Sequence, residues 1–118
     1  MYGHLDYIAR YIPANSYTYD WHDFNDLICI ILKTIIEQGK GIEINTAGLK
    51  YGMPEPNPCL DIVKMYHDLG GEIITVGSDA HEVKYFAYRF DVVAEMLKNA
   101  GFNYYTIFNE RKPEFIKL

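Results

Sequence analysis

Three short stretches of this sequence hold polar side chains whose types and spacing suit the gripping of a divalent cation or an anion. Asp79 and His81 stand two residues apart in Gly77-Ser78-Asp79-Ala80-His81, directly after the apolar run Ile73 to Val76. At the end of a strand, that spacing lets a carboxylate oxygen and an imidazole nitrogen reach one cation such as zinc, manganese or iron. His4 and Asp6 lie near the start, behind Gly3, a residue that permits close approach of backbone or ligand. Glu43 and Asn45 alternate with Ile42 and Ile44, and a carboxylate inside so apolar a run needs a cation, a hydrogen-bond donor or water beside it.

Two cations complement these groups. Arg10, six residues beyond His4, carries a guanidinium long enough to swing toward an anion, and Lys50, in Gly48-Leu49-Lys50-Tyr51-Gly52, offers a point charge to a phosphate. Each residue also has a plainer role open to it. Asp79 and His81 fit a helix cap and a solvated histidine, His4 a surface residue, Arg10 and Lys50 solvated cations, and Glu43 one half of a structural pair. Spacing alone does not choose. His22 beside Trp21 and His67 beside Asp68 fall in helical stretches and read as structural or surface residues.

The elements that must position these groups follow from periodicity. Leu5 to Tyr11 reads as a short helix that Pro13 helps to end, and 14–20 as a loop. From His22 to Gln38, apolar residues at spacings of three and four predict a helix, capped by Asp20 or Asp23 and stopped by Gly39 and Gly41. Ile42 to Asn45 predicts a strand with Glu43 and Asn45 on one side and Ile42 and Ile44 on the other. Asn57-Pro58 predicts the entry of a helix running to Leu69, with Asn57 as its cap. A second strand over Ile73 to Val76, a helix over Phe90 to Ala100, a strand over Asn103 to Phe108 and a short one over Phe115 to Leu118 complete the chain. This alternation predicts an α/β fold with parallel strands, in which polar residues at the carboxyl ends of strands face the functional crevice. Three or four βα units amount to an incomplete barrel, because eight typically need ~250 residues.

Composition narrows the function. The chain has 118 residues, 49% of them hydrophobic, enough for one domain with a modest core. A net charge of −5 and an isoelectric point near 5.2 deny it the basic surface that a nucleic-acid backbone needs, so its eleven tyrosines read as core-edge packing or a partner surface rather than base stacking. The longest apolar run, Leu27 to Ile36, is too short for a bilayer and no export signal precedes it, so the expectation is a soluble cytoplasmic protein. Cys29 and Cys59 are expected to be reduced. P-loop, dinucleotide, Gly-x-Ser-x-Gly and paired CxxC motifs are absent.

Taken together, Gly3-His4-Leu5-Asp6-Tyr7-Ile8-Ala9-Arg10-Tyr11, Glu43-Ile44-Asn45-Thr46-Ala47-Gly48-Leu49-Lys50 and Gly77-Ser78-Asp79-Ala80-His81 resemble, in order and spacing, the last three signature segments of PHP-family histidinol-phosphatases. The resemblance spans nearly the whole chain. It implies a distorted βα barrel around up to three divalent ions, with His4, Asp79 and His81 among the metal ligands and Arg10 and Lys50 holding the substrate phosphate. Glu43, Asn45 and Ser78 would stand behind the ligands. The implied reaction is hydrolysis of a small phosphorylated substrate, histidinol phosphate, in histidine biosynthesis, with neither nucleic acid nor membrane as partner. The family's early signatures, a His-x-His pair and further His and Glu ligands, have no counterpart here. Residues 1–118 are therefore expected to be the carboxy-terminal portion of the domain, a truncated piece or a natural half that self-associates or pairs with the missing half of the barrel, and weak or inactive alone. The competing expectations are a non-catalytic assembly half-barrel and a phosphoesterase for another ester.

Overall fold

A computed structural model describes residues 1–12 and 19–118, so most of the loop expected over 14–20 lies outside the described residues. Its central feature is a parallel strand pair, β1 (Ile42–Asn45) and β2 (Ile74–Gly77), in register from Ile42↔Ile74 to Asn45↔Gly77. The other edge of β1 receives the amino-terminal segment. Tyr2 bridges Ile42 in the parallel sense, donating its N–H to the Gly41 carbonyl at 2.8 Å and accepting from Glu43 N at 3.0 Å. Three segments thus run side by side in one direction, and Gly3-His4, Asn45-Thr46 and Ser78-Asp79 all emerge at the same end.

Helices cover this pair because their apolar stripes have nowhere drier to go. Helix α1 (Asn25–Glu37) buries Ile28, Leu32 and Ile35, α2 (Leu60–Asp68) buries Ile62, Val63 and Tyr66, and α3 (Phe90–Asn99) buries Val93, Met96 and Leu97. These join Ile42, Ile44 and Ile74 in one core. The opposite flank of α1 is bare, with Leu27 and Ile30 exposed at 55% and 62%. No helix among the described residues is long and apolar enough to cross a membrane. Cys29 and Cys59 are free thiols.

Several expectations need correction. The last two strands are not additional parallel units: β3 (Tyr104–Asn109) and β4 (Lys112–Lys117) form an antiparallel hairpin. Its two-residue turn, Glu110-Arg111, has both residues at positive φ, the geometry whose twist matches paired antiparallel strands. β3 meets β2 through a side chain, Thr106 Oγ1 accepting from Ile74 N at 3.2 Å. The helix expected over Leu5 to Tyr11 is a 3₁₀ turn, Tyr7–Tyr11, where Tyr7 stacks on His4 instead of packing into the core. The helix expected from His22 begins as a 3₁₀ turn, Trp21–Phe24, capped by Asp20, which accepts from His22 N at 3.0 Å. Asn57 does not cap α2. The helix starts later, with Glu55 Oε1 accepting from Leu60 N at 3.2 Å, and Asn57 is diverted to other partners described below.

Tyr66 is fully buried and its hydroxyl donates to the Ile73 carbonyl at 3.0 Å, beside the start of β2. Burial, aided by the nearby Glu72 charge, pushes its pKa up to about 12 from 10.0. The folded state therefore keeps a proton that the unfolded chain releases above pH 10, and stability is expected to fall as pH rises from 10 to 12. Tyr66→Phe is expected to cost about 1 kcal/mol at neutral pH and to flatten that alkaline decline, measured by urea unfolding across the same pH range.

Candidate metal and phosphate site

The shared end of the three segments gathers the polar residues that the sequence singles out. Asp79 follows β2 at φ +45, and its Oδ1 lies 3.4 Å from Nε2 of His81, whose side chain is 83% exposed and free to turn. Ser78, between the strand and Asp79, is nearly buried. His4, also at positive φ (59), places Nδ1 3.5 Å from Glu43 Oε2 and 3.4 Å from Asn45 Nδ2. Glu43 and Asn45 do project to one side of β1, where Asn45 Nδ2 donates to Glu43 Oε2 at 3.2 Å. The Asn45 Oδ1 accepts from Ala47 N at 2.9 Å, which fixes the first turn after the strand.

Glu43 is the hinge of this arrangement. Its carboxylate lies over two glycines on the flanking segments: a Cβ on Gly3 would come within 3.2 Å of Oε2, and one on Gly77 would overlap Oε1 outright. Larger residues at either position would displace the carboxylate, so Gly3 and Gly77 make room for an acid that reaches from His4 toward the Ser78-Asp79 strand end.

The cations sit on the same side. Lys50 Nζ lies 3.4 Å from the Asp79 carbonyl and within about 5 Å of the Tyr51 and Tyr85 rings. Arg10 lies 3.7 Å from the centre of the Tyr51 ring and donates to the Tyr7 hydroxyl. Neither cation has a carboxylate partner among the described residues. The Tyr7 hydroxyl is raised above its ordinary range, first by its hydrogen bond with Tyr11, and the Asp79 carboxylate contributes to the rise. Tyr7 stacks on His4 with ring centres 4.6 Å apart and lies beside the Arg10 guanidinium. The segments of His4, Arg10, Lys50 and Asp79 form one neighbourhood.

Among the described residues, however, no three His, Cys, Asp or Glu side chains converge as a metal site. The donors are two pairs, His81 with Asp79 and His4 with Glu43. An oxygen and an imidazole nitrogen side by side are a fitting partial set for zinc or a similar ion. His22 pairs with Asp20 and stacks on Trp21, and His67 packs edge-on against Phe102, so both are structural.

Other anchoring residues gave weaker signals. Asn57 pairs its backbone with Asn45 and donates from Nδ2 to Asp6 Oδ1 at 2.6 Å, tying the His4 to Arg10 segment to the end of β1. Burial raises the Asp6 pKa to about 6, against the pull of that hydrogen bond. Thr46, fully buried, donates to the Tyr88 carbonyl at 2.7 Å and so fastens the loop after His81. An Asn before Pro and a Thr after a strand are too common to announce such roles.

In structure, the chain matches a histidinol phosphate phosphatase from Lactococcus lactis, solved with zinc, L-histidinol and phosphate, at a TM-score of 0.73 and 25% identity over 96% of this chain and 43% of that one. In sequence, it is 45% identical over 117 residues to a probable histidinol-phosphatase of Thermotoga maritima, covering 98% of this chain and 47% of the relative. A probable histidinol-phosphatase of Clostridium acetobutylicum is 32% identical over 99 residues, 84% of this chain and 38% of the relative. No protein-family model matches the chain. This chain is a homologue of the histidinol-phosphatases along nearly all of its length, and it spans less than half the length of each of these relatives.

Proposed function

We propose that residues 1–118 form the carboxy-terminal portion of a PHP-type metal-dependent phosphomonoesterase domain, a partial (β/α) barrel acting on histidinol phosphate in the cytoplasm as part of histidine biosynthesis. The observation that carries this reading is the Asp79–His81 pair at the end of β2 with Lys50 beside it, a cation without a carboxylate partner among the described residues. The names and contents of the relatives support the substrate. On this reading His4, Asp79 and His81 supply metal donors, and Glu43, with Asn45, orients His4 by lying against Nδ1 so that Nε2 is left to ligate. Ser78 sets the strand end from which Asp79 turns. A divalent ion, when bound, supplies Lewis acidity toward water and phosphoryl oxygens. Arg10 and Lys50 hold the substrate's phosphate oxygens and offset negative charge as the ester bond breaks. Water attacks phosphorus, the alcohol departs with a proton, and inorganic phosphate remains.

The Tyr2 edge beside β1, which pairs with no further strand among the described residues, and the exposed Leu27 and Ile30 of α1 support pairing of this segment with the rest of the barrel. Within a complete phosphatase carrying this segment, Asp79→Ala or His81→Ala is expected to lower kcat/KM for histidinol phosphate at least about 100-fold, since disturbing even the groups behind a metal ligand costs 10- to 100-fold. Unchanged kcat/KM would point to a non-catalytic half-barrel. A panel of phosphate esters in the same assay tests the substrate.

A further inference from the structure

We propose that Tyr51 is a positioning residue whose ring is the common support on which Arg10 and Lys50 are held for phosphate. This rests on the reading of those two cations given above. Tyr51 is 59% exposed, so burial does not account for its place in the fold. Its ring instead collects charge. The Arg10 guanidinium carbon lies 3.7 Å from the ring centre, whereas it lies 5.3 Å from each of Tyr7 and Tyr11. Lys50 Nζ is 5.1 Å from the same ring and 5.0 Å from Tyr85.

The two cations arrive on different segments, Arg10 on the Tyr7–Tyr11 turn and Lys50 on the Ala47–Tyr51 turn that follows β1. Two like charges on long, flexible, half-buried stems drift apart unless something attracts both. An aromatic face does this without neutralising either, because its quadrupole attracts a cation while adding no net charge. A carboxylate in the same place would hold the cations but cancel the field that a phosphate needs. A guanidinium resting on a ring also keeps the N–H groups beyond the one given to the Tyr7 hydroxyl for oxygen acceptors, and contact of that kind suits phosphate. Gly52, at φ +87, ends the turn directly after Tyr51.

The test uses the 118-residue chain and inorganic phosphate at constant ionic strength, followed by NMR. Two quantities are read: the Arg10 side-chain Nε–Hε signal without phosphate, and the phosphate affinity. In the parent and in Tyr51→Phe, the Arg10 signal is expected to show ring-current displacement and restricted motion, with equal affinities. Tyr51→Leu is expected to release Arg10 and weaken phosphate about 2- to 5-fold, the size of a solvent-exposed cation–aromatic contact, with the backbone spectrum otherwise kept. If Tyr51→Leu leaves the Arg10 signal and the affinity unchanged, the role of Tyr51 is overturned while the phosphate reading stands. If Arg10→Gln and Lys50→Gln leave the affinity unchanged, the phosphate reading fails and the inference with it.

Discussion

Gly41→Ala is expected to unfold the chain or bring it close to unfolding. A Cβ at this position would overlap the Ile73 carbonyl oxygen and crowd Cγ2 and Cβ of the same residue at 2.5 and 2.6 Å. Neither neighbour can swing aside. The Ile73 carbonyl accepts from Ile42 N at 3.2 Å and from the Tyr66 hydroxyl, and the Gly41 carbonyl accepts from Tyr2 N, so relief requires parting the central strands. Overpacking that side chains absorb costs ~1–3 kcal/mol; moving a backbone junction exceeds that, against a total stability of about 5–15 kcal/mol. Urea unfolding followed by circular dichroism measures it, and a midpoint close to the parent's would refute the argument. Gly77→Ala makes the contrast, because its added methyl meets the end of the flexible Glu43 side chain. That carboxylate can rotate away, leaving stability little changed while His4 loses its neighbour.

Zinc is expected to bind the isolated 118-residue chain more weakly than about 1 µM. Closed four-ligand zinc sites provide ~10–16 kcal/mol, and 1 µM corresponds to about 8 kcal/mol. Here the described residues offer two donor pairs and no converging trio, and the His81 side chain is 83% exposed. Competition against a chromophoric chelator reads the affinity, and Asp79→Ala with His81→Ala is expected to abolish what binding there is. Tight stoichiometric zinc together with robust histidinol phosphate hydrolysis by the isolated chain would overturn both this expectation and the view that other residues complete the site.

Much of this arrangement is legible in the sequence because it depends on short periods. The Leu27-to-Ile36 spacing gives α1, the alternation at Ile42 to Asn45 gives a strand with its polar side, and an apolar run meeting Ser-Asp-Ala-His delivers Asp79 and His81 to a strand end. What escapes depends on pairing at a distance or on uncommon turn chemistry. Glu110-Arg111 lacks the Asn-Gly or Asp-Gly signature of a tight hairpin, so β3 and β4 read as separate strands. Asn57 has the credentials of a helix cap, but Asp6, 51 residues away, claims its side chain. Tyr51 looks like one tyrosine among eleven until Arg10 and Lys50 are seen beside its ring.

The left-handed backbone at His4, Asp6 and Asp79 has a consequence for transplantation. Non-glycine residues adopt this conformation at a cost of roughly 1–2 kcal/mol each, so a peptide cut from Gly77 to His81, or the same five letters spliced onto another strand, would relax out of it. The message in those letters is conditional. It specifies this backbone geometry only where Tyr2, Glu43 and the Asn45–Asn57 clasp hold the neighbouring strand ends in place, and a search for the motif in foreign folds would return the spelling without the shape.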